Sequence, residues 1–147
     1  MNQNDFWKLI KLVDVETLDE GDEEGALEKL TTKLATLEEE KIQGFEECLA
    51  QFLYNLDGKA YADNAGESGK SGDGFLYCRC YVIAKGEKFY ETVLANPTKM
   101  PSSLDQWCES LLFVSQNAWA EATGNDPENW NYHASVNYET GSNKTAW

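Results

Sequence analysis

Apolar residues recur at intervals of three and four positions along most of this chain, a spacing that predicts α-helices with one buried face. Before residue 57 the pattern forms three stripes, over residues 6–13, 27–37 and 42–56. The acidic stretch over residues 14–25 separates the first two stripes and is predicted to be a linker. The first part of the chain therefore predicts three helices.

The stretch after the third stripe combines a predicted loop with an ambiguous apolar run. Residues 63–74 contain four glycines and two serines, a composition typical of loops. Residues 75–85 are rich in aromatic and β-branched side chains, which by itself favours a strand. Asp73 is placed to cap a helix there and Gly86 to end it, and no partner strand is evident nearby. The residues alone are therefore compatible with either a helix or a strand over residues 75–85.

Two more helices and an irregular tail are predicted in the last third of the chain. The first helix covers residues 87–95, and a longer stripe from Ser103 onward predicts a helix that Gly124 ends. Beyond residue 126 the chain is rich in Asn, Tyr and Trp without a helical period. We therefore predict an all-α fold, with a single compact domain of five or six helices over residues 1–126. Residues 127–147 are predicted to form an irregular C-terminal arm, either packed or loose.

The chain is strongly acidic, and its charge is unevenly distributed. Its 147 residues include 26 acidic and 12 basic ones, a formal net charge of −14. Residues 1–57 hold 15 of the acidic residues and five of the basic ones. Such a field repels nucleic-acid phosphates and anionic membranes and attracts basic partners, so we expect neither direct nucleic-acid binding nor membrane association. Solubility is the simpler interpretation of the same charge.

Several classes of function find no support in the sequence. No apolar run reaches the roughly 20 residues of a membrane span, and the first residues lack a signal-peptide pattern, so a cytoplasmic location is expected. The four cysteines lie in apolar surroundings and are predicted to be reduced, buried thiols. His133 is the only histidine, so the sequence predicts neither a histidine-containing metal site nor a Cys–His catalytic dyad. Gly69-Lys70-Ser71 lacks the earlier glycine of a phosphate-binding loop, so no catalytic residue, metal or cofactor is predicted.

An acidic face in the first half of the chain is the preferred candidate for binding. Carboxylates at neighbouring helix positions point in different directions, which indicates a solvated surface rather than an acid/base pair. Acidic surfaces steer fast association with basic proteins, so this face is predicted to contact a basic protein partner. Its members are Asp19, Glu20, Asp22, Glu23, Glu24, Glu38, Glu39, Glu40, Glu46 and Glu47.

The chain's only arginine, Arg79, stands inside the apolar run and marks a second candidate site. A buried guanidinium needs a partner, and Asp73 is the carboxylate proposed for it. The favoured interpretation is a structural ion pair between Asp73 and Arg79. The alternative is a polar pocket that binds an anion or a substrate, formed by Tyr61, Asp73, Tyr77 and Arg79.

Short motifs follow one another in a characteristic order. They are Asp5-Phe6-Trp7 with Ile10, residues 45–52, Ala60-Tyr61, Asp73-Gly74-Phe75, Tyr77, Arg79, Val82-Ile83, Gly86, Asn96-Pro97, Leu111-Leu112, Ala118 and Thr123-Gly124. In this order and spacing they resemble the DUF4240 domain, a bacterial family without an established activity. The resemblance covers residues 4–124 and implies a buried helix over residues 75–85. It implies no activity, cofactor or partner.

Three functions are compatible with these features. The preferred one is a non-enzymatic acidic binding protein, most concretely an immunity-type protein that neutralises a basic toxin or enzyme by direct binding. The second is a small-ligand-binding or enzymatic domain that uses Arg79 and Asp73. The third is a nucleic-acid-mimicking inhibitor of a nucleic-acid-binding protein. Charge reversal on the acidic face distinguishes the first from the second, and competition with DNA or RNA identifies the third.

Overall fold

The computed structural model describes all 147 residues and contains eight α-helices and no strand. Six of these helices have seven or more residues, so the predicted all-α fold is confirmed. None of the helices combines the length and the apolar character that a membrane crossing needs. The helices are α1 (Gln3–Ile10), α2 (Val15–Asp19), α3 (Glu23–Ala35), α4 (Glu39–Asn55), α5 (Lys59–Asp63), α6 (Gly72–Ala84), α7 (Glu87–Ala95) and α8 (Val114–Thr123).

Helix α6 forms the centre of the fold and settles the ambiguity over residues 75–85 in favour of a helix. Ten of its 13 residues are buried, and it packs against α4, α7 and the 3-10 turn Glu109–Phe113. Because nearly every side of this helix is covered, its sequence shows no polar face and therefore no helical period. The helix is capped by Ser71, whose hydroxyl accepts a hydrogen bond from the N–H of Gly74 at 2.9 Å, rather than by Asp73.

An aromatic cluster joins α1, α4 and α7 on the other side of the core. The ring of Phe6 lies 4.9 Å from Phe45, and the ring of Trp7 lies 4.8 Å from Phe52 and 5.4 Å from Tyr90. These rings belong to one continuous cluster of 33 buried apolar residues. Burial of this apolar surface is the main favourable contribution to the stability of the fold.

The linker predicted over residues 14–25 is wrong for most of its length, because the stretch contains α2 and the first turn of α3. Asp14 accepts a hydrogen bond from the N–H of Thr17 at 3.1 Å, and Asp22 accepts one from the N–H of Gly25 at 2.9 Å. Each carboxylate therefore caps a helix. The acidity that suggested a linker reflects two helix N-termini, where negative charge is favourable.

The predicted loop over residues 63–74 is a tight 3-10 turn, Gly66–Lys70, followed by the start of α6. Gly66 has a φ of 60°, in the left-handed region that favours glycine. A side chain at Gly69 would collide with the carbonyl of Ala62. The glycines of this stretch therefore allow close backbone packing rather than flexibility.

The long helix predicted to begin at Ser103 begins at Val114 instead. The segment before it is irregular and then forms a 3-10 turn. The N–H of Cys108 donates to the carbonyl of Tyr77 at 3.1 Å, which ties this segment to α6 instead of to its own helix. Gly124, with a φ of 76°, ends α8 as predicted.

The C-terminal arm, residues 127–147, packs on the helices, which is one of the two predicted alternatives. The ring of Trp130 lies 5.7 Å from that of Trp119 on α8, and the ring of Trp147 lies 6.0 Å from that of Phe75 on α6. The arm contains only short 3-10 turns. Its position is therefore determined by side-chain contacts.

Candidate functional site

A groove lined by carboxylates lies between α3 and α8. Its volume is about 640 Å³. Asp22, Glu24 and Glu28 line it from the α3 side, and Glu121 lines it from α8. No basic side chain lines it. We call this feature the acidic groove.

Three carboxylates of the acidic groove are available to a partner. Glu24, Glu28 and Glu121 are exposed, and none of them forms an ion pair within the protein. Asp22 is already engaged in capping α3. Because four like charges surround one concave surface, the negative potential is concentrated there.

Sequence analysis identified two of the four carboxylates that line the acidic groove. Asp22 and Glu24 were predicted to lie on the acidic face, whereas Glu28 and Glu121 were missed. Glu28 follows Glu24 by four positions on α3, and this spacing places both side chains on the same helix face. Glu121 belongs to α8, and only the tertiary packing of α3 against α8 brings it to the groove.

Two other members of the predicted acidic face stabilise contacts between segments. Glu23 accepts a hydrogen bond from the N–H of Ser110 at 2.9 Å. Glu39 accepts one from the indole N–H of Trp119 at 2.8 Å. These two carboxylates therefore hold α3 and α4 to the C-terminal part of the chain.

Asp19 is partnered by side chains of the α6 region. The hydroxyl of Tyr81 donates to it at 2.7 Å, and the Nζ atom of Lys85 lies 3.2 Å from its second oxygen. The hydrogen bond from Tyr81 lowers the pKa of Asp19. The members outside the groove that are exposed and form no side-chain hydrogen bond are Glu20, Glu38 and Glu40.

Glu46 was predicted to lie on the acidic face, but the structure buries it. Its side chain is on the core side of α4, between Ile42 and Leu49, and the residue is only 7% exposed. Its Oε1 atom has no hydrogen-bond partner. Burial raises the pKa of Glu46 to about 7; the hydroxyl of Ser115 opposes this effect, and the charge of Glu47 adds to it.

Glu47 anchors the arm rather than facing a partner. It accepts hydrogen bonds from the N–H and the hydroxyl of Ser135 at 2.8 and 2.7 Å, and from the hydroxyl of Tyr132 at 3.2 Å. Although partial burial opposes the change, hydrogen bonds from Gln51 and Ser135 lower the pKa of Glu47. The carboxylate is thus ionised and fixed between α4 and the arm.

The predicted ion pair between Arg79 and Asp73 is wrong. Arg79 is fully buried and donates to the carbonyl of Leu53 at 2.9 Å and to the hydroxyl of Thr140 at 3.1 Å. Its guanidinium carbon lies 4.7 Å from the centre of the Phe75 ring. Asp73 is exposed. It precedes Arg79 by six positions, which correspond to a rotation of about 240° around the helix axis, so the two side chains lie on different sides of α6.

A buried carboxylate that sequence analysis missed, Asp57, holds the end of the arm. It accepts hydrogen bonds from the N–H of Gly141 at 3.0 Å, the N–H of Asn143 at 2.9 Å and the indole of Trp147 at 2.9 Å. Burial lowers the pKa of Arg79, and the charge of Asp57 opposes this effect. We call Asp57 and Arg79 the arm anchor.

The remaining members of the predicted polar pocket do not converge on Arg79. The hydroxyl of Tyr61 donates to the carbonyl of Leu94 at 2.7 Å. Tyr77 packs edge-on against Trp107 with ring centres 5.5 Å apart. The four residues therefore have separate structural neighbours instead of lining one site.

The thiols are free, and no cysteine is set up as a nucleophile. Cys78, Cys80 and Cys108 are buried, whereas Cys48 is partly exposed. Burial raises the pKa of Cys78 and Cys108 to about 12, so both remain protonated at neutral pH. No group of three or more His, Cys, Asp or Glu side chains is arranged to hold a metal ion.

Comparison with known proteins identifies a protein family. The model of a family described as a protein of unknown function, DUF4240, matches residues 1–136. The match covers all eight helices and the first part of the arm. No curated protein and no solved structure matches the chain.

Proposed function

The chain belongs to the DUF4240 family, whose function is unknown, and we propose that it is a non-enzymatic acidic binding protein that engages a basic protein partner. The most concrete form of this function is an immunity-type protein that neutralises a basic toxin or enzyme in the cytoplasm by direct binding. The acidic groove between α3 and α8 is the observation that carries the proposal.

The groove supports binding to cationic side chains of a protein. Glu24, Glu28 and Glu121 project from two helices around a floor that includes Leu27 and Val114. A guanidinium or ammonium group can pair with such carboxylates, while the aliphatic part of its side chain covers the apolar floor. A basic protein surface supplies several such groups on one rigid scaffold.

The charge of the whole chain supports the same partner chemistry. A net charge of −14, concentrated in residues 1–57, produces a long-range field that attracts positively charged proteins. Electrostatic attraction of this kind raises the association rate and weakens as salt screens the charges. We therefore expect fast, salt-dependent association.

Affinity capture from cells that produce the protein tests the proposal. The protein is immobilised, and bound proteins are identified by mass spectrometry at low and at physiological salt. We expect one stoichiometric partner with a basic surface, whose activity falls when this protein is added. Absence of a partner at both salt concentrations would contradict the proposal, and displacement of the partner by DNA or RNA would indicate a nucleic-acid mimic.

A matched pair of double variants connects the partner to the groove. Glu24→Lys with Glu28→Lys reverses two groove charges on α3. Glu87→Lys with Glu91→Lys reverses two exposed carboxylates at the same spacing on α7, and neither residue lines the groove. Both pairs begin in the first turn of a helix. The α3 variant should lose the partner and the α7 variant should retain it.

The alternative site built on Arg79 and Asp73 has less support. Arg79 is buried under the arm, and its hydrogen bonds go to Leu53 and Thr140. Asp73 is exposed on another face of α6. An arrangement of this kind stabilises the position of the arm and offers no open surface to a substrate.

A further inference from the structure

The arm is attached to the helices through contacts of side chains. No hydrogen bond joins the backbone of residues 130–147 to the backbone of the helices. No residue of the arm is buried, and its only regular structure is a set of short 3-10 turns. A segment with few buried contacts and no backbone pairing opens at a lower free energy than the core that it covers. The arm is therefore able to leave the helices while the core stays folded.

Two carboxylates hold the arm, one near its middle and one at its end. Glu47 on α4 accepts three hydrogen bonds from the arm. Asp57, two residues after α4, accepts three more. Hydrogen bonds to an ionised carboxylate are stronger than those between neutral groups. All six form only when the arm lies in one position, so we expect the arm to open and close as a unit.

A third carboxylate, Glu46, lies beneath the arm. A cavity of about 560 Å³ between α4 and the arm is lined by Glu46 and residues 132–139. Glu46 is only 7% exposed, and its Oε1 atom has no hydrogen-bond partner. On the core side, the buried hydroxyl of Ser115 is its polar neighbour. The helices thus cover Glu46 on one side and the arm covers it on the other, so opening of the arm brings water to this carboxylate.

We infer that the arm is a pH-sensitive device, which detaches from the helices as a unit when ionisation of Glu46 beneath it favours the open position. An ionised carboxylate is costly where it lacks water and hydrogen-bond donors, and this cost falls when the arm opens. Opening also uncovers Asp57 and Arg79, which are fully buried while the arm is closed. The pH thereby controls access to the arm anchor.

The direction of the pH dependence follows from the burial of Glu46. Burial raises the pKa of Glu46 to about 7 while the arm is closed, compared with an ordinary value of 4.5. Because the closed position holds the proton more tightly, its advantage is complete below pH 4.5 and is lost as the pH rises to about 7. Full hydration of Glu46 in the open position would increase the opening equilibrium constant about 30-fold between about pH 5.5 and 8.

Most other titratable groups near Glu46 keep their charge in this range. Burial raises the pKa of the cysteine and of the two tyrosines among them, so these three stay neutral. Although partial burial opposes the change, hydrogen bonds lower the pKa of Glu47, which stays ionised. Histidine commonly changes charge in this range, so His133 is tested by a variant. The groups are Glu47 on α4, Cys80 on α6, and Tyr132, His133, Tyr138 and Glu139 on the arm.

Amide hydrogen exchange of the full chain, followed by NMR at about pH 5.5, 6.5 and 8, tests the inference. The amides of Ser135, Gly141 and Asn143 donate to the two carboxylates and report on the arm. The amides of Val82 and Ile83, inside α6, report on the core. The protection factor is the intrinsic exchange rate of an amide divided by its observed rate. We expect the arm amides to be less protected than the core amides, and their protection factors to fall together by about 10-fold to 30-fold from the lowest to the highest pH.

Four variants assign the pH dependence to Glu46. Glu46→Gln cannot ionise, so its arm should keep the protection that the wild type shows at the lowest pH. Glu47→Gln weakens the acceptor of three arm donors and should reduce arm protection at least about fivefold at every pH, while the fall with pH remains. Glu40→Gln, on the same helix and exposed, should match the wild type. His133→Asn should preserve the pH dependence, because that dependence belongs to Glu46.

Three results would overturn the inference. Equal protection of arm and core amides would show that the arm opens only when the whole domain unfolds. Wild-type arm protection that is independent of pH would remove the role of ionisation, and both of these results are obtained without any variant. An unchanged pH dependence in folded Glu46→Gln would assign the effect to another group. No residue of the arm lines the acidic groove, so loss of this inference would leave the proposed partner binding untouched, and the reverse also holds.

Discussion

Replacement of Glu46 with glutamine should stabilise the protein at neutral and alkaline pH but much less at acidic pH. Burial raises the pKa of this carboxyl from its ordinary value of 4.5 to about 7. At about 1.36 kcal/mol per pKa unit, ionised Glu46 lowers the free energy of unfolding by about 3 kcal/mol. Because the folded state holds the proton more tightly than the unfolded state, stability is lost as the pH rises from 4.5 to 7. Glutamine does not ionise and avoids this loss.

Urea denaturation of the wild type and of Glu46→Gln, at about pH 4.5, 6 and 8, measures the effect. The stability difference between the two proteins should increase by about 3 kcal/mol in favour of glutamine between the lowest and the highest pH. Other carboxylates titrate equally in both proteins, so their contributions cancel. Glu40→Gln, an exposed change on the same helix, should show no such trend. A difference that is independent of pH would refute the reasoning.

Three further substitutions and one control test the packing that holds the arm and the central helix. Asp57→Ala removes the acceptor of three donors in the arm, so hydrogen exchange at the end of the arm should accelerate and stability should fall by about 1–3 kcal/mol. Gly69→Ala should destabilise by at least about 2 kcal/mol because its methyl group meets the carbonyl of Ala62. Thermal denaturation measures this loss. The control is Gly72→Ala, whose methyl group meets nothing closer than 3.8 Å and which should leave the stability unchanged in the same assay. Arg79→Met should cost about 1–3 kcal/mol in urea denaturation, because it removes the hydrogen bonds of the buried guanidinium to the carbonyl of Leu53 and the hydroxyl of Thr140, and an unchanged midpoint would show that the guanidinium is dispensable.

The helices that the sequence predicted correctly are those with one buried and one exposed face. The stripes over residues 27–37 and 42–56 correspond closely to α3 and α4, because each helix packs one side on the core. The stripe that begins at Ser103 predicted a helix that starts too early. A 3-10 turn also brings apolar side chains to the core at intervals of three, so its pattern resembles that of an α-helix. The contact between Cys108 and Tyr77 that prevents a helix there joins two distant parts of the chain.

The candidate sites depend on contacts that spacing alone does not reveal. Arg79 and Asp57 are held by the arm, and neither Thr140 nor Trp147 stands near them in the sequence. Glu46 is different, because its burial was visible in the sequence. It follows Ile42 by four positions and precedes Leu49 by three, within the apolar stripe of α4.

Measurement of the dissociation constant for the captured basic partner tests most directly whether the acidic groove is the binding surface. Three proteins are compared at physiological salt: the wild type, Glu24→Lys with Glu28→Lys, and the control Glu87→Lys with Glu91→Lys. We expect the α3 variant to bind at least about tenfold more weakly and the α7 variant to stay within about twofold of the wild type. Equal affinity of the wild type and the α3 variant would contradict the proposed function.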